Sequence, residues 1–145
     1  MINNIVDGIC LAINAEFGDD FKIYTERIEQ GLDEPCFYVQ RLNHGSDLFL
    51  HDRYTRTNQF AIQYFPSTED AQSECADVAD RLFICLDVVD FGDGSIRGSQ
   101  MESIIEDSVL TVTVNYNFFV DVHTDVNYME DIDYTGGVKD GKKEN

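Results

Sequence analysis

Leu110-Thr111-Val112-Thr113-Val114-Asn115-Tyr116-Asn117-Phe118-Phe119-Val120-Asp121-Val122 is the stretch that decides how this chain folds. Leu110, Val112, Val114, Tyr116, Phe118, Val120 and Val122 alternate with Thr111, Thr113, Asn115, Asn117, Phe119 and Asp121. Successive side chains of a strand point to opposite faces. The run therefore predicts a strand with one face on a core and the other toward water or a partner. An ordinary strand has about 5 or 6 residues, so this one is expected to overhang its sheet, where a neighbouring subunit could pair with it.

Moving toward the N-terminus, a strand is expected over Ile96 to Glu106, before the turn Asp107-Ser108. Asp90-Phe91-Gly92-Asp93-Gly94-Ser95 breaks an amphipathic helix whose stripe is Ala71, Cys75, Val78, Ala79, Leu82, Cys85, Leu86 and Val89. Ser67-Thr68-Glu69-Asp70 opens that helix, with Ser67 as the cap and Asp70 three residues on as in a capping box. Pro66 ends the preceding strand, Tyr54 to Phe65, because proline cannot donate to a ladder.

Earlier still, Cys36 to Leu42 reads as a strand and Asn43-His44-Gly45-Ser46-Asp47 as a turn. Leu48-Phe49-Leu50 then either extends a strand or forms a projecting loop. A first strand is expected around Phe21 to Glu26, with a loop at Gln30 to Pro35. Ile2, Ile5, Val6, Ile9 and Ile13 make the stripe of an N-terminal helix that stops at Gly18, and Leu11 points away from it. Leu11 is either an ordinary exposed leucine or part of a contact surface.

The expected order is α-β-β-β-α-β-β: an α+β fold with two amphipathic helices on one face of a mostly antiparallel sheet. It occupies residues 1–122 as a single domain. Residues 123–145 lose periodicity and are rich in Asp, Asn, Gly and Lys, with isolated Val126, Tyr128, Met129, Ile132 and Tyr134. They read as an extended, partly disordered C-terminal arm, whose few apolar residues could dock on an adjacent subunit.

Composition narrows the function. With 145 residues the chain has the size of one ordinary domain, and 43% hydrophobic residues suffice for one core. Asp plus Glu number 28 against 10 Lys plus Arg, a net charge of -18. Such a surface repels phosphate backbones and anionic membranes, which argues against sequence-specific nucleic-acid binding and against a membrane partner. Met1 to Phe17 has no basic n-region, so no signal peptide is expected. Cys10, Cys36, Cys75 and Cys85 contain no CxxC pair and read as small buried hydrophobes.

Motifs of catalysis do not emerge. His44, His51 and His123 have no metal-ligand spacing. The glycines around Gly92-Asp93-Gly94-Ser95-Ile96-Arg97-Gly98 follow a helix and precede a strand, the reverse of a dinucleotide fingerprint. The carboxylates match no EF-hand loop, and no GxSxG elbow is present. The expectation is a protein that is not an enzyme, with no cofactor and no metal.

Two phrases resemble a known family. They are Ile23-Tyr24-Thr25-Glu26-Arg27-Ile28-Glu29-Gln30-Gly31-Leu32-Asp33-Glu34-Pro35-Cys36-Phe37-Tyr38-Val39 and Arg53-Tyr54-Thr55-Arg56-Thr57-Asn58-Gln59-Phe60-Ala61-Ile62-Gln63-Tyr64-Phe65-Pro66. With the two helices and the closing strand, roughly residues 1–122 resemble the tail terminator, neck or collar proteins of Gram-positive phages and prophage-derived contractile particles. The resemblance implies a homo-oligomeric ring, commonly a hexamer, on the head-proximal end of the tail tube. Its partners would be tube and sheath proteins, and a neck connector where a head is present. In a headless contractile bacteriocin, a contractile injection system, it would be the collar. It would assemble in the bacterial cytoplasm and end in a virion or tail-like particle.

The residues expected at subunit or partner interfaces are Leu48, Phe49, Leu50, Phe119, Tyr128, Ile132 and Tyr134. The alternative is a monomeric acidic adaptor or immunity-type protein that engages a basic protein partner through its charge.

Overall fold

The computed structural model describes residues 2–26, 31–124 and 129–134. In chain order the elements are α1 (Ile2–Phe17), β1 (Lys22–Tyr24), β2 (Cys36–Leu50), β3 (Arg53–Phe65), α2 (Ala71–Cys85), β4 (Val88–Asp90), β5 (Ser95–Glu106), β6 (Val109–Tyr116), β7 (Phe118–Thr124) and β8 (Met129–Tyr134). The expected α+β architecture is present, with two helices against a mostly antiparallel sheet. Two short strands, β4 and β8, add to the expected order.

The stripe of α1 buries Ile5, Ile9 and Ile13, and that of α2 buries Cys75, Val78, Ala79 and Leu82. Both pack on Phe37 and Val39 of β2, Phe60, Ile62 and Tyr64 of β3, and Leu110, Val112 and Val114 of β6. Aromatic rings join the layers: Phe17 of α1 lies 4.9 Å from Phe37, which lies 5.0 Å from Tyr64. Between the helices Arg81 sits 4.2 Å over the Phe17 ring and pairs with Glu16 at 2.8 Å.

The start of α2 differs from expectation. Asp70, not Ser67, is the N-cap, and its carboxylate accepts from the Ser73 N–H. The Ser67 and Thr68 N–H groups donate instead to Glu74, which reaches back from the first turn. Glu74 thus takes the Ser67 N–H that Asp70 was expected to take in a capping box, together with that of Thr68. At its other end α2 stops at Cys85, and Val89 is buried from β4 rather than from the helix. Burial of Leu86 and Val89 continued the helical spacing into a segment that is no longer helical.

The sheet order is β1-β2-β3-β6-β5-β4, with β7 beside β3 and β8 beside β7. Only the β1–β2 pair is parallel among those described. The expected single long strand is divided at Asn117 into β6 and β7, yet its register runs through. Gln59 faces Asn115 and Arg56 faces Phe118, so the same number of steps separates the pairs on both strands. At the interruption Asn58 bridges the gap, its Nδ2 donating to the Tyr116 carbonyl at 3.0 Å and its backbone N–H to Asn117 Oδ1 at 3.4 Å.

The largest correction concerns β2. The expected turn at residues 43–47 is strand, and β2 runs on to Leu50. His44 to Leu50 pair with β3 from Asn58 back to Arg53, with irregularities at Arg41/His44 and Leu48/Leu50. Every residue from Arg41 to Leu50 is exposed, so no alternation marks this half as strand. The backbone ladder holds it, and that ladder does not depend on side-chain type. The turn is His51-Asp52, with His51 at φ 54°, a left-handed conformation that histidine adopts more readily than bulkier residues.

Candidate functional site

Beyond the helix-covered core, the second half of β2, the first half of β3, and β7 with β8 form an arm. At its tip Leu48, Phe49 and Leu50 are 61%, 59% and 58% exposed. Consecutive side chains of a strand alternate in direction, so the tip offers apolar groups on both faces. The Phe49 ring lies 5.1 Å from the Phe119 ring of β7. Arg53 places its guanidinium 5.4 Å from the Phe119 centroid and pairs with Asp121 at 2.8 Å.

Further polar contacts stiffen the arm. Arg56 Nε donates to Ser46 Oγ at 2.9 Å, and the Val122 N–H donates to the Asp52 carbonyl at 2.9 Å. A flexible loop would lose conformational entropy on docking; a braced hairpin presents its leucines already ordered, which favours binding.

Of the expected interface residues, Leu48, Phe49, Leu50 and Phe119 therefore come together at one place. Ile132 and Tyr134 lie on β8, at register positions opposite Val122 and Val120. Tyr128 and Val126 lie outside the described residues, as do 135–145.

A second exposed apolar place received only a hint from the sequence. Leu11 of α1 and Val88 of β4 are 67% and 44% exposed and line a groove of about 600 Å³ between the two elements. The off-stripe position of Leu11 was the available signal. Val88 carried none, because it sat at the end of what read as helix. A second concavity, about 670 Å³, opens on the sheet face away from the helices among Tyr24, Tyr38, Gln63, Thr111 and Glu106. Its lining mixes hydroxyls, an amide and carboxylates.

Burial governs the thiols and the Tyr116 phenol. Burial first, then the Glu16 charge, pushes the Cys85 thiol up to about 11, and burial also raises Cys10, Cys36 and Cys75. Such thiols stay protonated and are poor nucleophiles. Burial raises the Tyr116 phenol, which donates to the Leu86 carbonyl at 2.6 Å and ties β6 to the end of α2. Among the described residues no group of three or more His, Cys, Asp and Glu could hold a metal ion, and no helix is long and apolar enough to cross a membrane. What the arrangement offers is contact surface.

No curated protein matches the chain in sequence. Residues 4–128, from α1 to the segment after β7, match the family model described as phage tail terminator protein. With that match spanning most of its length and a fold of helices on a mostly antiparallel sheet, the chain belongs to the phage tail terminator family, a family of tail structural proteins.

Proposed function

We propose that this tail terminator caps the head-proximal end of the tail tube as a homo-oligomeric ring of six copies, acting as terminator, neck or collar. The observation that carries the reading is the braced arm with Leu48, Phe49 and Leu50 in water at its tip. Apolar side chains grouped in this way mark a contact surface, and membership of a tail family supplies the kind of partner. The ring would touch tube and sheath proteins and, where a head is present, its connector. It would assemble in the bacterial cytoplasm before joining the particle.

Measuring the mass of the purified protein and imaging it on purified tails tests this. A ring on one end of the tube, formed free or on the tube itself, is the expected result. A monomer that never decorates tails overturns it and leaves the acidic adaptor as the better reading. We further propose that residues 123–145 serve the ring rather than the core. Deleting residues 126–145, which removes β8, should leave a cooperative thermal unfolding transition while weakening assembly. A truncated chain with no such transition would place this segment in the folding unit.

A further inference from the structure

The groove between α1 and β4 exists because the two backbones nearly touch: a Cβ on Gly8 would stand 2.5 Å from the Asp90 carbonyl oxygen. Leu11, Ala12, Val88 and Phe91 give the groove apolar walls, and Asp7 and Asp90 give it carboxylates. The cation beside it in the strand ladder, Arg97 opposite Val88, already pairs with Asp87 at 2.7 Å. Apolar surface and negative charge left together in water favour a cover that is apolar at one point and basic around it.

The sheet directs one segment of the chain to this place. β5 and β8 lie on the same flank of β6 and β7, because β3 occupies the other flank of both. Along that flank Gly98 stands opposite Tyr116, and Tyr134 opposite Val120. Before Gly98, however, Ser95 pairs with Asp90 of β4, and Ile96 is buried with the helix-facing core. β5 therefore leaves the flank at the point toward which β8 runs. Since β8 is antiparallel to β7, the chain beyond Tyr134 heads for the ladder positions of Phe119 and Phe118, beside the start of β5 and its partner Asp90.

Residues 135–145 lie outside the described residues, and their composition suits the groove. Val138 is their one large apolar side chain, and it follows Gly136-Gly137. Lys139, Lys142 and Lys143 outnumber Asp140 and Glu144, the reverse of the balance in a chain of net charge -18. The reversal begins only after β8, which carries Glu130, Asp131 and Asp133. At roughly 3.4 Å per extended residue, Val138 can reach roughly 14 Å from Tyr134. Asp90 stands only one strand spacing, about 5 Å, from Ser95.

We infer that residues 135–145 cover the α1/β4 groove of their own copy, with Val138 against Leu11 and Val88 and the lysines beside Asp7 and Asp90. The inference concerns a single copy and is independent of the ring reading. A groove closed in this way does not compete with the arm tip for a neighbour, so the segment serves assembly without joining the core.

Replacing Val138 with a benzophenone amino acid tests the contact in the full chain. Isotopically heavy and light proteins are mixed, irradiated and digested. Crosslinks to peptides containing residues 4–12 or 88–92, with both ends of one isotope, are the expected result. Crosslinks joining heavy to light would put the segment on another copy and overturn the inference, as would crosslinks to other surfaces alone.

Methyl NMR gives a second readout. Deleting residues 135–145 should shift the Leu11 and Val88 methyls, while the fully buried Ile62 methyls and the melting temperature stay as in the wild type. Lys139→Glu, Lys142→Glu and Lys143→Glu together should move the same two residues in the same direction and lower the crosslink yield severalfold. Leu11 and Val88 methyls at wild-type positions in both variants would overturn the inference, whether or not a ring is seen on tails.

Discussion

Strand β3 passes through two different environments, and the contrast between them explains how this protein divides its labour. From Phe60 to Tyr64 it runs beneath the helices, with Phe60, Ile62 and Tyr64 buried between β2 and β6. From Arg53 to Thr57 it still pairs with β2, through a ladder with two register shifts, and from Arg53 to Arg56 with β7, yet these residues are only half-buried. Pairing persists along the strand; the cover does not. Backbone pairing extends a sheet wherever a partner strand is present, whereas most of the stabilisation comes from apolar area removed from water. The covered half should therefore govern stability and the arm should govern assembly.

Phe60→Ala challenges that contrast most severely. The ring is fully buried and lies 6.0 Å from that of Tyr116. Its removal should cost about 3–5 kcal/mol and lower the melting temperature by roughly 10 °C or more. A shift of only a degree or two would mean that the helix-covered half is not the main source of stability.

Glu74 gives a smaller effect with a pH signature. Burial alone would raise its carboxyl, but hydrogen bonds from the Thr68 and Tyr64 hydroxyls and the Ser67 and Thr68 N–H groups outweigh it and hold the pKa below the usual 4.5. A depressed folded value means that this stabilisation is present above the unfolded pKa and is lost as pH falls through the folded one. Glu74→Gln should cost about 1–2 kcal/mol at neutral pH. In urea unfolding the gap from wild type should narrow as the pH is taken below 4.5. A gap that stays constant with pH would show that the charge of Glu74 contributes nothing.

The smallest effect is expected at the arm. Leu48→Ser changes an exposed side chain and should alter stability by no more than about 0.5 kcal/mol. A cooperative loss of several degrees in its melting curve would show that the arm belongs to the folding core, and the contrast would fail.

Much of the covered half was legible in the sequence because burial writes periodicity. The alternation from Leu110 to Val122 predicted a strand, and in the structure its pairing with β3 keeps one register across the break at Asn117. The helical stripes of α1 and α2 identified most of what packs on it. Periodicity also misled where burial outlasted the helix, at Leu86 and Val89, since both a helix end and a strand can bury such residues. In the arm, Asn43 to Asp47 looked like a turn because those residue types are common in turns, and nothing in their composition announces a strand that is exposed throughout. Even so, Leu48, Phe49, Leu50 and Phe119 stood out as apolar residues at positions where water was expected. Three of them share the tip, and Phe119 meets Phe49.

By itself the sequence determined the two-layer α+β arrangement and the core faces, because each is a local pattern repeated along the chain, while residues 23–39 and 53–66 carried the resemblance to tail terminators. Only the tertiary structure decided that β2 reaches Leu50, that Arg53 braces Phe119 and Asp121, and that Gly8 lets α1 and β4 form a groove. Those features depend on which distant backbones pair or touch. Such contacts use N–H and C=O groups that nearly every residue carries, and so leave little trace in the order of side chains.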